Sequence, residues 1–160
     1  MAISYDLEYA AESSAADVAA RLAEIGRGLG VFDATVTPEL LTDPGMNTRH
    51  GTWIRVTQER PPQPWHPVVA DLHFTPTVST TFRMAKDAEV SAQQDDMLRL
   101  VLALLEQVDG DAVLHYQYES IWLLRKNGEL SLSEDDDLWR PHRIPFVTQS
   151  YKRVTHRFED

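Results

Sequence analysis

Six histidines and several carboxylates are the residues here whose types could carry acid–base or metal chemistry. His50, His66, His73, His115, His142 and His156 are scattered, with no short spacing of the kind metal ligands use. A site built from His73, His115 and an acid on neighbouring strands is conceivable, because strand neighbours converge in space; isolated, satisfied histidines are the simpler expectation. The Glu134–Asp137 run lacks the glycine and the alternating ligands of a calcium loop. Asp95 and Asp96 are adjacent on a helical stretch and face different ways, so they do not pair as acid and base. Glu119 lies at a hairpin bend, where a carboxylate commonly accepts backbone hydrogen bonds.

Motifs for catalysis are missing. There is no Gly-x-Ser-x-Gly elbow, no phosphate-binding loop and no paired-histidine protease pattern. Gly26-Arg27-Gly28-Leu29-Gly30 ends a helix, whereas phosphate binding needs glycines leading into a helix N-terminus. The chain has no cysteine, which removes disulfides, thiolate zinc sites and cysteine nucleophiles and fits a reducing cytoplasm. These observations identify no catalytic, cofactor-binding or metal-ligating residue.

The elements that must position any site are legible from periodicity. Ile3, Tyr5, Leu7 and Tyr9 alternate with polar residues, which predicts a strand with one buried face. Ser14 and Asp17 form a capping-box-like start, and Val18, Leu22, Ile25 and Leu29 continue on one helical face. Alternation predicts further strands over 52–58, 68–74 and 78–84, with Ile54 and Val56 opposite Trp53, Arg55 and Thr57. The segment from Arg60 to Pro64 holds three prolines and reads as an exposed connector. Ser91 and Gln94 suggest a second capping box, opening a long apolar helix that runs to about Val108 and forms the centre of the core. A three-strand meander follows over 112–133. Its Asn127-Gly128 turn predicts a two-residue hairpin in which Lys126 faces Glu129, Arg125 faces Leu130, Leu124 faces Ser131 and Leu123 faces Leu132. Ile121, Leu123, Leu130 and Leu132 are then expected on the core face, with Trp122 and Leu124 on the other.

The expected architecture is α+β: a mostly antiparallel twisted sheet, two main helices on one face, and a C-terminal three-strand meander. At 160 residues the chain is read as one domain, with 138–160 as a basic segment packing on the sheet. No apolar run approaches the length of a membrane span, and no secretory leader opens the chain.

Fifteen basic against 25 acidic residues give a net charge of −10, which argues against nucleic acid or an anionic membrane as partner. The charge is uneven. Asp87 to Asp137 holds 13 acids and three bases, while Leu138 to Phe158 holds five bases and no acid. A solvated acidic surface with the basic tail folded against it explains this, and so does an acidic face that steers toward a basic partner. With both helices on one side, the second sheet face would carry Trp53, Trp122 and Leu124. Either the tail covers them with Trp139, Phe146, Tyr151 and Phe158, or they form a partner or dimer patch.

Several stretches taken together resemble a known family. They are Met1 through Ile3, Tyr5 and Leu7 to Glu8; Val31-Phe32-Asp33; Thr80 to Lys86; Met97-Leu98-Arg99 through Leu104-Leu105; Gly110 to Leu114; Glu119; and Leu123-Leu124-Arg125 followed by Gly128 and Leu132. In that order the chain resembles the Sit-type immunity proteins of actinobacteria and myxobacteria, from Met1 to about Leu132. It departs from the family pattern at Tyr116-Gln117-Tyr118-Glu119, where a short Asn-Gly-Glu approach to the hairpin is expected. The resemblance implies a small cytoplasmic protein that binds and neutralises a cognate toxin domain, and the acidic face suits a basic one. It implies no cofactor and supplies no catalytic residue.

On this reading the partner site is Trp53, Trp122 and Leu124 on the open sheet face, with Asp135, Asp136, Asp137 and Trp139 at its rim. Two alternatives stay open. One is an enzyme or small-ligand domain with a pocket between sheet and central helix, marked by a histidine and a carboxylate in hydrogen-bond reach near His73 or His115. The other is a homodimer joined through the tryptophan-bearing face.

Overall fold

The computed structural model describes residues 3–159; Met1, Ala2 and Asp160 lie outside the described residues. Eight strands form one sheet in the order β2-β3-β4-β1-β5-β6-β7-β8. They are β1 (Ser4–Tyr9), β2 (Met46–Asn47), β3 (Trp53–Gln58), β4 (Val78–Arg83), β5 (Ala112–Tyr116), β6 (Ser120–Lys126), β7 (Glu129–Leu132) and β8 (Tyr151–Arg153). All neighbours pair antiparallel except β7 and β8. The helices are α1 (Ala15–Gly28), α2 (Pro38–Thr42), α3 (Pro67–Leu72) and α4 (Val90–Gln107). The fold is α+β, as the periodicity predicts.

Strand β1 sits at the centre, paired with β4 on one side and β5 on the other. Its Tyr5, Leu7 and Tyr9 point to the face covered by α1 and α4, into a core with Ile54, Val56, Phe82 and Leu114. Helix α4 is the middle of that core: Met97, Leu98, Leu100, Val101, Leu104 and Leu105 are all buried. Ser14 caps α1, its Oγ accepting from the Asp17 amide at 3.2 Å. The expected box at Ser91 does not form. Glu89 stands at the cap without a side-chain bond, and Gln94 donates instead to the Tyr5 hydroxyl at 3.0 Å.

The Asn127-Gly128 hairpin has the predicted register at all four pairs. One consequence drawn from it fails. Leu114 pairs with Leu123 but His115 pairs with Ile121, so Trp122 is an extra residue in β6. A bulge of this kind reverses which face the residues before it occupy. Trp122 therefore packs toward the α1/α4 core, and Ile121 joins Leu124 on the second face.

A second correction concerns 68–74. Val68, Ala70, Leu72 and Phe74 alternate, yet the segment folds as α3, with Pro67 at the first helical position and His66 as cap. His66 Nδ1 accepts from the Val68 amide at 3.2 Å, and His73 ends the helix in the left-handed region at φ 61°. Val68 and Leu72 are also four apart, a helical spacing that two-residue alternation hides. Helix α3 lays Val68, Leu72 and Phe74 over Val113, Ile121 and Leu124, so this part of the second face is covered.

The tail crosses from one face to the other. Trp139 is buried in the α1/α4 core, and its Nε1 donates to the Trp122 carbonyl at 2.6 Å. Arg143 is fully buried beside α4, giving hydrogen bonds to Asp95 (2.6 Å), the Leu138 carbonyl (2.9 Å) and Ser91 (2.9 Å). Strand β8 then follows the β7 edge, and Phe158 packs against the second-face cluster. Replacing Trp139 with Ala should lower stability by about 3–5 kcal/mol, the cost of a cavity under a large aromatic side chain. Trp65→Ala, at a residue 76% exposed, should stay within about 0.5 kcal/mol. Urea unfolding of the two variants checks the contrast.

Candidate functional site

The partner residues expected from sequence do not share one surface. Trp53 and Trp122 lie on strands separated by β4, β1 and β5, four strand spacings or about 19 Å apart. Trp53 is half-buried against Gly45, where a Cβ would come within 2.6 Å of the indole nitrogen; glycine at φ 98° leaves that room. Leu124 and Trp139 are buried, on opposite faces of the sheet, and Trp122 is half-buried on the helical side. The three aspartates are exposed in the loop after β7. Asp135 accepts from the Asp137 amide at 2.8 Å, and Arg153 approaches Asp136 at 3.6 Å. An open tryptophan-bearing face is thus replaced by an acidic loop at one end of the sheet.

The chemistry concentrates elsewhere, on the second face of β1. Alternation sends Asp6 and Glu8 to the side opposite Tyr5, Leu7 and Tyr9. Glu8 is only 1% exposed, and its Oε2 lies 2.7 Å from Nε2 of His115, itself fully buried on the neighbouring strand. Nδ1 of His115 accepts the Tyr118 amide at 3.1 Å, so the ring proton resides on Nε2 and is donated to Glu8. Burial pushes the His115 pKa down to about 4, which keeps the ring neutral in this role.

The other oxygen, Glu8 Oε1, faces His66 Nε2 at 3.5 Å. It is buried and has no hydrogen-bond partner. The carboxyl of Glu59, one residue beyond β3, and the Tyr118 hydroxyl are the neighbours able to bring a proton to Glu8. Burial, together with the hydrogen bond and charge of Glu8, pushes its carboxyl up to about 8. Burial also raises the pKa of Glu8. The two carboxyls hold one proton between them, as close like charges with little compensation must.

Tyr118 roofs the cluster. Its ring stacks on His115 with centroids 4.2 Å apart, its hydroxyl is 3.3 Å from His66 Nε2, and Phe158 meets both rings edge-on at 5.6 Å. The turn that places it is strained. Gln117 and Tyr118 have φ of 49° and 58°, a conformation that hairpins usually assign to asparagine and glycine.

The sequence analysis expects isolated, satisfied histidines and sets beside them a site of His73, His115 and an acid; His115 does meet an acid, but the acid is Glu8 and the second histidine is His66. His73 is exposed and belongs to a helix end. The one available signal for Glu8 was its place on the polar side of a strongly alternating strand; its pairing with β5 has no local mark. The cluster is sealed against a small substrate. Clefts of about 440 and 450 Å³ are lined around Asp109 and Arg125 and around Trp122 and His156; the second runs along Ile121 and Phe158, the neighbours of His115, but neither cleft is lined by Glu8 or His115. Among the described residues no three His, Asp or Glu side chains are placed to hold a metal ion, and no helix is long and apolar enough to cross a membrane.

The shared proton ties stability to pH. The folded state keeps the Glu59 proton up to about 8, against an ordinary 4.5, so this contribution declines as pH rises between those values. His115 acts oppositely: its folded pKa of about 4, against an ordinary 6.5, raises stability as pH rises from 4 to 6.5. The two slopes offset each other between about 4.5 and 6.5. A net loss remains between about 6.5 and 8. Urea midpoints at pH 5.5, 6.5 and 8.5 should fall only in the last interval, and Glu59→Gln, a permanent donor, should flatten that fall.

No curated protein and no solved structure matches the chain. A protein-family model does, over residues 3–143, which takes in the central strand, α1 to α4, the meander and the buried Trp139 and Arg143. The chain belongs to the SitI3-like family.

Proposed function

We propose that this protein is an immunity-type binder that neutralises a cognate toxin domain by tight protein–protein contact, without catalysis and without a cofactor. The observation that carries the reading is the family match over residues 3–143, nearly the whole folded chain. Its site of action on this reading is the cytoplasm, and its partner is a basic toxin domain rather than nucleic acid or membrane.

Charge supports the choice of partner. The net charge of −10 and the exposed Glu134–Asp137 loop give an acidic surface, which raises the encounter rate with a basic domain at low salt. The partner face assigned here is the exposed Asp135, Asp136 and Asp137. Trp122, Leu124 and Trp139 hold that end of the sheet from within, and Trp53 stands apart on β3. The histidine–carboxylate pair that would have marked an enzyme exists, but it lies sealed beneath Tyr118, so binding remains the better reading.

The test is capture from the producing strain and its close relatives, with the purified chain as bait at low and moderate salt. A captured domain that arrests growth when expressed alone, and whose toxicity is relieved by co-expression of this chain, is the expected result. Changing Asp135, Asp136 and Asp137 together to Asn should then slow association several-fold at low salt and much less at high salt, with little change in dissociation. Capture of no growth-arresting domain at either salt overturns the reading.

A further inference from the structure

The sheet ends at β8, and among the described residues no strand pairs with its outer edge. Strand β8 runs parallel to β7, with Tyr151 opposite Leu130 and Arg153 opposite Leu132. The Val154 amide donates to the Leu132 carbonyl at 2.9 Å, so alternation turns the amides and carbonyls of Tyr151 and Arg153 away from β7. Backbone groups that face outward together are the template on which another strand adds. The opposite edge, β2, is two residues long and is a shorter template.

The side chains along that edge define what it accepts. Tyr151 and Val154 are 37% and 39% exposed, both among the large apolar side chains left open to water. Leu130 and Leu132 belong to the α1/α4 core, so Tyr151 and Arg153 lie on that side of the sheet and Lys152 on the other. Arg153 turns to Asp136 at 3.6 Å, whereas Lys152 is exposed and forms no ion pair among the described residues. A second copy of the chain fits poorly. Pairing the outward groups of Tyr151 with those of Arg153 in another β8 sets Lys152 against Lys152, the kind of like-charge contact by which edge strands avoid self-association. The same lysine favours a strand that carries an acid opposite it.

We propose that the outer edge of β8 takes up one extended segment of the protein partner as an added strand, with an acidic residue of that segment facing Lys152 and apolar residues against Tyr151 and the stem of Arg153. The proposal rests on the toxin-binding reading for the partner's identity, and on backbone pairing for the mode of contact. Main-chain hydrogen bonds supply affinity, and side chains at alternate positions supply the choice of partner. The edge adjoins the acidic loop. Arg153 Nε donates to the Ser133 carbonyl at 3.0 Å, and the Glu134 amide donates to Thr155 Oγ1 at 3.0 Å, so β8 is fixed to the segment that carries Asp135, Asp136 and Asp137. A basic domain steered by those aspartates arrives beside the open edge.

The experiment uses the full chain with the peptide acetyl-Thr-Val-Glu-Val-Thr-amide as probe, and a second peptide with lysine in place of its glutamate, followed by NMR at the amides of 150–154. Saturable shifts and slowed hydrogen exchange at Tyr151 and Arg153 are expected, with the glutamate peptide bound about fivefold more tightly. Lys152→Glu should reverse that order. Proline is tolerated at the first residue of an edge strand but has no amide to give, so Tyr151→Pro should bind the peptide several-fold more weakly than Tyr151→Ala, with matching urea midpoints for the two variants. No saturable change at Tyr151 and Arg153, an order that Lys152→Glu leaves unaltered, or a dimer of the chain joined through β8 overturns the proposal. With a toxin domain in hand, Tyr151→Pro should speed its dissociation about tenfold; an unaltered rate overturns the docking edge and leaves the immunity reading standing. A chain that captures no toxin yet binds the glutamate peptide sinks the immunity reading and leaves the edge standing.

Discussion

A carboxylate near the middle of the sheet, on the part of the second face that is also covered, sets the terms for much of this structure. Glu8 is carried by the central strand, whose other face must be apolar to meet α4, so alternation delivers its side chain to the second face. Once α3 and the end of the tail close over that face, the group has lost water and must be hydrogen-bonded or neutralised. His115 supplies one partner from β5, Glu59 at the end of β3 is pushed toward its protonated form by burial and by Glu8, and His66 and Tyr118 close the remaining sides. Each of these residues comes from a different element, so the position of Glu8 constrains β5, the 59–66 loop, the α3 cap and the 117–118 turn together.

The tail solves a different problem. It buries Trp139 and Arg143 on the helical face, pairs three residues along the β7 edge and brings Phe158 to the second face. Arg143 also shows how the uneven charge is used. A basic residue from the tail is buried against Asp95 of the acidic helix, and its remaining donors end on Ser91 and the Leu138 carbonyl. Arg125 does comparable work at the far end of α4, donating to the carbonyls of Leu105, Val108 and Gly110. Both guanidiniums are buried with several partners each, the condition under which a buried charge is tolerated.

What the sequence determined by itself is what nearest neighbours decide. Strict alternation placed β1, β3 and β4, helical periodicity and a serine cap placed α1, and Asn127-Gly128 fixed the register of β6 against β7, because a two-residue turn leaves only one pairing. The resemblance carried by Thr80 to Lys86, Met97 to Leu105 and the meander likewise lies in local patterns, and it leads to the family. Where two local readings were available, tertiary structure chose between them. The 68–74 stretch alternates like a strand, yet it closes over Val113, Ile121 and Leu124 as a helix begun by Pro67. The bulge at Trp122 reversed the facing of Ile121, since its cause lies in pairing with β5 and not in β6 itself. Glu8 and His115 are 107 residues apart, and Glu59 comes into the neighbourhood of Glu8 only because β4 joins β3 to β1 in the sheet. No local spacing encodes such a meeting, for burial and electrostatics act between side chains that the chain brings together only when the whole sheet has formed.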